Sequence, residues 1–168
     1  MGQKEVRLGW GHINVNVSDL DAAIIFYEKL GFSVLLPGIP YLALSQEAPK
    51  QPLSESSAAA LGLETPVAGR ACIMQLGKGF PMLDLTELLG PAGSVPLTTR
   101  DRGIVRICLA SQNLDQDYAR LTNDGVEFLS SPQLGEGGSA KIAVCRDPDG
   151  TLIELIEIDL DRWSELVG

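Results

Sequence analysis

The chain holds a single histidine, His12, in an alternating apolar stretch, Gly11-His12-Ile13-Asn14-Val15-Asn16-Val17. Two acids are set singly among apolar residues: Asp84 within Met82-Leu83-Asp84-Leu85 and Glu154 within Leu152-Ile153-Glu154-Leu155. Arg106 occupies a fourth such stretch, Gly103–Leu109. A β-strand sends every second side chain to one face, so each group can be presented from an otherwise apolar strand. A neutral imidazole and two carboxylates make a partial shell for a divalent cation, with oxygen-rich chemistry suited to Mg²⁺, Mn²⁺ or Fe²⁺. His and Glu are also suitable general bases. Arg106 stays protonated and cannot ligate. It can offset carboxylate charge, meet a ligand carboxylate or phosphate, or stabilise a developing oxyanion. At about 4 Å and an effective dielectric near 20, each charge pair with Arg106 is worth roughly 4 kcal/mol before desolvation, which competes with cation binding. A satisfied core histidine and a structural ion network are the plainer readings of the same residues.

The elements that must position these groups come from a duplication. Laid on itself at an offset of 94, Ser18-Asp19-Leu20-Asp21 falls on Gln112-Asn113-Leu114-Asp115, and Leu20, Ile24, Tyr27 and Gly31 fall on Leu114, Tyr118, Leu121 and Gly125. The spacing is helical, with a polar cap before each helix and a glycine after it. At an offset of 70, Met82–Glu87 falls on Leu152–Glu157. The difference, 94 − 70 = 24, gives the first half about 24 extra residues, placed in Pro37–Ala68 and carrying a short helix near Ser54–Leu61. Such a long connection reads as a functional lid or as a solvated loop. Each half is strand, helix, then three strands: Gly11–Val17, Leu20–Leu30, Ser33–Leu36, Arg70–Leu76 and Pro81–Leu88, then Gly103–Leu109, Leu114–Asn123, Val126–Leu129, Ala140–Cys145 and Leu152–Ile158. His12 thereby maps to Arg106 and Asp84 to Glu154, so pseudo-twofold symmetry is expected to aim all four at one centre. The division is a single domain over 1–168, a first module over 7–90 with its insertion at about 37–68, a second over 100–158, and a tail over 159–168 expected to be a short helix bearing Trp163. Residues 89–102 are the joint.

Several function classes are set aside by bulk properties. A net charge of -9 and pI near 4.5 argue against nucleic acid and against an anionic membrane surface. No apolar run reaches the roughly 18–20 residues of a membrane helix. Cys72, Cys108 and Cys145 have no zinc spacing, lie among apolar residues and are expected to be buried thiols. Their odd number, with no signal peptide, points to the cytoplasm. Asp147-Pro148-Asp149-Gly150 is a turn that sets the last strand's register. Gly135-Glu136-Gly137-Gly138 lacks a following helix and reads as a hairpin, not a phosphate loop. Phe26, Phe32, Phe80 and Phe128 are core candidates. Trp10 is a core candidate too, or a pocket wall beside His12. Glu87 and Glu157, three residues beyond the paired acids, are expected to see solvent.

Gly11–Leu20, Phe26-Tyr27 with Leu30-Gly31-Phe32, and Asp147–Leu155, in that order at both ends of a duplication, resemble the vicinal oxygen chelate superfamily of glyoxalases, bleomycin-resistance proteins and type I extradiol dioxygenases. The resemblance implies an α+β fold of two tandem βαβββ modules with an open barrel-like cleft, commonly in a homodimer. Metal-bearing members take ligands from the first and last strands of each module, which here are His12, Asp84, Arg106 and Glu154. Arg106 departs from that pattern, since the position is often His. His12 as sole histidine excludes a two-His, one-carboxylate iron site, so an ordinary extradiol dioxygenase or glyoxalase I is not expected. What remains is His12, Asp84 and Glu154 as candidate ligands for one divalent ion (Mg, Mn, Fe or Zn), or a metal-free site, which the reduced ligand set favours.

Two functions follow as expectations. The preferred one is an enzyme of isomerase, epimerase or lyase type acting on a small oxygenated metabolite. His12, Glu154 and Arg106 are its candidate catalytic groups, and Arg106, Trp10 and Asn14 its ligand contacts. The alternative is a non-catalytic protein that sequesters a drug or metabolite. Either takes a small-molecule partner, with no nucleic acid and no membrane.

Overall fold

The computed structural model describes residues 8–90, 93 and 95–159; it comprises two compact units that divide between residues 91 and 92. In the first, β1 (His12–Asn16), α1 (Leu20–Lys29) and β2 (Phe32–Leu36) are followed by short strands β3 (Gly38–Ile39), β4 (Leu44–Ser45) and β5 (Gln51–Pro52). Then come α2 (Glu55–Ala60) and the long strands β6 (Ala68–Leu76) and β7 (Met82–Leu88). The second unit runs β8 (Arg106–Ala110), α3 (Leu114–Asn123), β9 (Glu127–Phe128), β10 (Gln133–Leu134), β11 (Ala140–Arg146) and β12 (Leu152–Ile158). The architecture is α+β with one βαβββ module in each unit, as expected. Among the described residues, no helix is long and apolar enough to cross a membrane.

Both sheets have the same plan. The first is ordered β1-β7-β6-β2, with β5 on the end of β6; the second has β8-β12-β11, with β9 and β10 both pairing β11. β1 lies parallel to β7, and β8 parallel to β12, while the other ladders are antiparallel. The registers repeat the sequence offsets. His12 pairs with Met82 in the first unit, and their equivalents, Arg106 and Leu152, pair in the second. Asn14 opposite Asp84 is likewise repeated as Cys108 opposite Glu154.

The helices begin and end for the same local reasons. Asp19 caps α1 by accepting from the Ala22 amide at 3.0 Å, and Asn113 caps α3 by accepting from the Gln116 amide at 3.0 Å. Gly31 at φ +97 and Gly125 at φ +81 supply the left-handed turn that leads each chain into its next strand. α1 buries Leu20, Ala23, Ile24, Phe26 and Tyr27, and Tyr27 meets Phe26 and Phe32 edge-on. In the second unit Leu114 and Leu121 are buried, and Tyr118 meets Phe128 edge-on. Asp147 accepts from the Asp149 and Thr151 amides, which fixes the turn into β12. The Gly-rich segment at 135–138 joins β10 to β11 as a hairpin.

The insertion is a packed layer. Ile39, Leu42, Leu44, Leu53 and Ala58 form a buried cluster with Ala71 and Ile73 of β6, against which Met82 and Leu88 are partly buried. Ile73 pairs with Asp84, and Ala71 with Thr86. Ladder partners share a face, so the insertion covers the face that carries Asp84, not the one that carries Leu83 and Leu85.

Several expectations need correction. The strand expected at Gly103–Leu109 begins at Arg106, because β12 starts opposite it at Leu152 and Gly103 turns away at φ +123. Ladder pairing expected over Val126–Leu129 contracts to Glu127–Phe128, while β3, β4, β5 and β10 were not anticipated. Cys108 is exposed, unlike Cys72 and Cys145. Trp10 and Phe80 are exposed, since neither lies within a strand; Phe26 and Phe32 are buried. The helix expected around Trp163 lies outside the described residues.

Glu87 and Glu157 do not face solvent as expected. Glu87 is 7% exposed; its carboxylate accepts from the Leu20 amide at the start of α1 and from Arg70. Glu157 accepts from the Leu114 amide at the start of α3 in the same way. An alternating strand buried on both faces hides its polar positions too, and the helix N-terminus, with its free N–H groups, supplies the partner.

Candidate functional site

The chemistry of the first unit centres on the neighbouring strands β1 and β7. Asn14 and Asp84 stand directly opposite each other, and His12 is two residues before Asn14 on the same face. His12 Nε2 lies 3.5 Å from Asp84 Oδ2, with the imidazole about a third exposed. Asp84 is 4% exposed. Its other oxygen, Oδ1, accepts from Thr86 Oγ1 at 2.6 Å. Asn14 Nδ2 donates to Thr86 Oγ1 at 3.3 Å and to the Asp84 carbonyl at 3.4 Å. The result is a relay from Asn14 through Thr86 to a buried carboxylate beside an accessible imidazole. With Nε2 turned towards Asp84, Nδ1 is the ring nitrogen left for a ligand.

Tyr41 was not singled out from the sequence. It belongs to a 3₁₀ turn, Pro40–Leu42, in the insertion. Burial, and the negative charge of Asp84, raise its phenol above the ordinary value. The insertion has no counterpart in the second half, so the duplication could not reveal it. Trp10, proposed as a pocket wall, is 75% exposed just before β1.

In the second unit the equivalent strands carry a different pair. Arg106 Nε bonds Glu154 Oε2, while Glu154 Oε1 accepts from Cys108 Sγ at 3.4 Å. Burial first, and then the Glu154 carboxylate, push the Cys108 thiol up to about 11. The pairing of Arg106 with an acid is the charge-compensated arrangement that competes with cation binding. Of the four residues anticipated, the structure brings together His12 with Asp84 and Arg106 with Glu154, each pair inside its own unit.

As metal donors, these groups are few. His12 and Asp84 supply one imidazole and one carboxylate, and both oxygens of Glu154 are engaged by Arg106 and Cys108. Among the described residues, no group of three or more His, Cys, Asp or Glu side chains is disposed to hold an ion. The donor set within either unit does not fit a complete metal shell.

A second polar cluster was missed because its members looked like ordinary surface charge. Arg70 on β6 contacts Glu87 Oε2 at 2.7 Å and Asp21 Oδ2 at 3.0 Å, and Lys50 of the insertion contacts Glu87 Oε1 at 2.8 Å. Burial alone would raise the Glu87 carboxyl, but bonds from Lys50, Arg70 and the Leu20 amide outweigh it and hold the carboxyl below its ordinary value. The signal in the sequence was the repeat itself: Asp21 maps to Asp115, which pairs with Lys141 at 2.5 Å.

Residues 9–155 match the family model of the Glyoxalase/Bleomycin resistance protein/Dioxygenase superfamily. Similar solved structures include a glyoxalase family protein from Bacillus cereus, 21% identical, covering 94% of this chain and 98% of that one, with a TM-score of 0.71. The trypanothione-dependent glyoxalase I of Leishmania major is 22% identical over 93% of this chain and 89% of its own, with a TM-score of 0.55. A glyoxalase I mutant from Zea mays is 21% identical over 86% of this chain and 43% of its own, with a TM-score of 0.58. At these identities the likeness concerns the fold. No curated protein matches the chain significantly.

Proposed function

The chain belongs to the Glyoxalase/Bleomycin resistance protein/Dioxygenase superfamily, and we propose that it is an enzyme of isomerase, epimerase or lyase type that moves a proton on a small oxygenated molecule. The observation that carries this reading is the His12–Asp84 pair, with a 4% exposed carboxylate beside an accessible imidazole. A passive apolar pocket has no need of a desolvated acid held in place by Thr86 and Asn14. Asp84 orients the ring through Nε2, and His12 Nδ1 takes the proton. Arg106 and Glu154, bonded to each other within the second unit, are a separate candidate pair for anion binding and proton transfer. Asn14 positions Asp84 through Thr86. The reading needs no metal, and the proposed form is a cytoplasmic homodimer.

The test is solvent exchange. A panel of α-hydroxycarbonyl compounds is incubated with the protein in D₂O and watched by proton NMR. The expected result is deuterium at the carbon next to the carbonyl for at least one compound, with the rate falling about 100-fold or more in His12→Ala. Exchange that persists in His12→Ala removes His12 from the chemistry. A second reading, sequestration without turnover, draws on the net charge of -9, which suits cationic ligands. It is favoured if no compound exchanges while ligands bind His12→Ala normally. Metal dependence is checked separately: elemental analysis is expected to find no stoichiometric ion, and Mn²⁺, Mg²⁺ or Zn²⁺ to leave the melting temperature unmoved.

A further inference from the structure

The second unit has no counterpart of the insertion, and one face of its sheet carries exposed side chains. The other face is closed. Ile153 and Leu155 of β12, with Ala143 and Cys145 of β11, are buried there, and Glu157 on the same face accepts from the amide that starts α3. The open face exposes Arg106, Cys108 and Ala110 along β8 and leaves Glu154, Ile156 and Val144 half-buried. Two arginines stand on a single row of it. Arg106 pairs with Leu152, and Leu152 pairs on its other side with Arg146. Ladder partners share a face, so the two arginine Cα atoms lie about 10 Å apart across the intervening strand. In a chain of net charge -9 this row is a local concentration of positive charge.

Each arginine is held by a carboxylate that leaves part of its guanidinium unused. Arg106 uses Nε on Glu154, and its two terminal nitrogens have no partner among the described residues. Glu154 is fully engaged, since its other oxygen accepts from the Cys108 thiol. Arg106 thus presents a planar edge of two nitrogens from a fixed base. Arg146 uses Nη1 on Glu127 at 3.1 Å, with the two side chains 47% and 72% exposed. An ion pair so exposed is worth little, and a ligand oxyanion can replace it. We propose that the Arg106–Leu152–Arg146 row binds a small dicarboxylate, one carboxylate on each guanidinium and a short hydrocarbon link spanning the row, a reading that rests on Arg106 and Glu154 as an anion site. A carboxylate meets a guanidinium edge with two parallel hydrogen bonds. Each arginine already has one acid beside it, so a singly charged group suits it better than a doubly charged phosphate. Val144 and Ile156 give the hydrocarbon link apolar surface to cover.

Calorimetry on the full chain compares glutarate, butyrate and inorganic phosphate. Glutarate is expected to bind about tenfold more tightly than butyrate, which lacks the second charge-assisted contact. Phosphate binding more tightly than glutarate overturns the dicarboxylate class. Arg146→Gln is expected to bring glutarate down to the butyrate level. Arg106→Lys, which keeps the charge but loses the planar edge, is expected to weaken glutarate about three- to tenfold. Glu127→Gln frees Arg146 at an exposed position and is expected to tighten glutarate about twofold. Cys108 reports the location, because it follows Arg106 on the open face of β8. Its alkylation by iodoacetamide is expected to slow about threefold or more in saturating glutarate. Glutarate that binds with Cys108 labelling unchanged lies elsewhere and overturns the proposal. Affinity unchanged in both Arg146→Gln and Glu127→Gln overturns the arginine pair, and a loss confined to Arg106→Lys then leaves Arg106 as a lone anion contact. If no probe binds the wild type, the anion reading of Arg106 and Glu154 falls with the proposal. The His12-dependent deuterium exchange is measured separately and stands or falls by itself.

Discussion

Asp84 and Glu87 sit three positions apart on β7, face opposite ways and are both buried, yet their surroundings assign them different tasks. Asp84 has a hydroxyl and an imidazole beside it; Glu87 has an arginine, a lysine and a helix N-terminus. Glu87 is therefore a structural acid. Glu87→Gln is expected to cost about 3 kcal/mol, because it leaves Arg70 and Lys50 without their buried partner, and the loss is read from chemical denaturation. The pH dependence has a definite sign. Since the folded carboxyl is held below its ordinary value, its contribution is present above the unfolded pKa of about 4.3 and disappears as pH falls through the folded one. The stability gap between wild type and Glu87→Gln should thus close in acid. Cys108 gives another residue-scale prediction. With its thiol near 11 it is exposed but poorly ionised at neutral pH, so iodoacetamide should label one cysteine per native chain, slowly, and faster by about tenfold per pH unit towards that value. Buried Cys72 and Cys145, both near 12, should stay unlabelled. The sequence pointed to His12, Asp84, Arg106 and Glu154 because lone polar residues in apolar strands are conspicuous. Glu87 was overlooked because alternation says which face a side chain takes, not whether that face is covered.

At the scale of elements, capped helices and long strands were legible, since their signals are local: Asp19 and Asn113 before the helices, Gly31 and Gly125 after them. The four short strands were not, because two-residue ladders such as β3 and β4 exist only by virtue of what they pack against. The insertion's position was legible from the mismatch of offsets; its covering of the Asp84 face was not. Its architecture is open to test at Gly38 and Ala43. Gly38→Ala meets the Leu44 carbonyl and is expected to destabilise the β3–β4 ladder by about 1–3 kcal/mol, seen as faster limited proteolysis within residues 37–68. Ala43→Gly relieves a left-handed alanine and is expected to be neutral or to slow the same cleavage.

For the whole molecule, the duplication survives as common topology and common register, while side chains have diverged: His12 became Arg106, Asn14 became Cys108, and only one module bears a covering layer. Composition conveyed the acidic character but said nothing of subunit number; the proposed homodimer is tested by sedimentation, where a mass of about twice 17.9 kDa is expected. Lys50 gives the covering layer a wider meaning. It reaches from the insertion to the same carboxylate that holds the start of α1, so the far side of the sheet has a mechanical grip on the layer that covers the Asp84 face. Substitution of Lys50 should loosen that layer before the module melts, seen as faster limited proteolysis within residues 37–68. A laboratory evolution campaign seeking new specificity would do well to randomise Lys50 first.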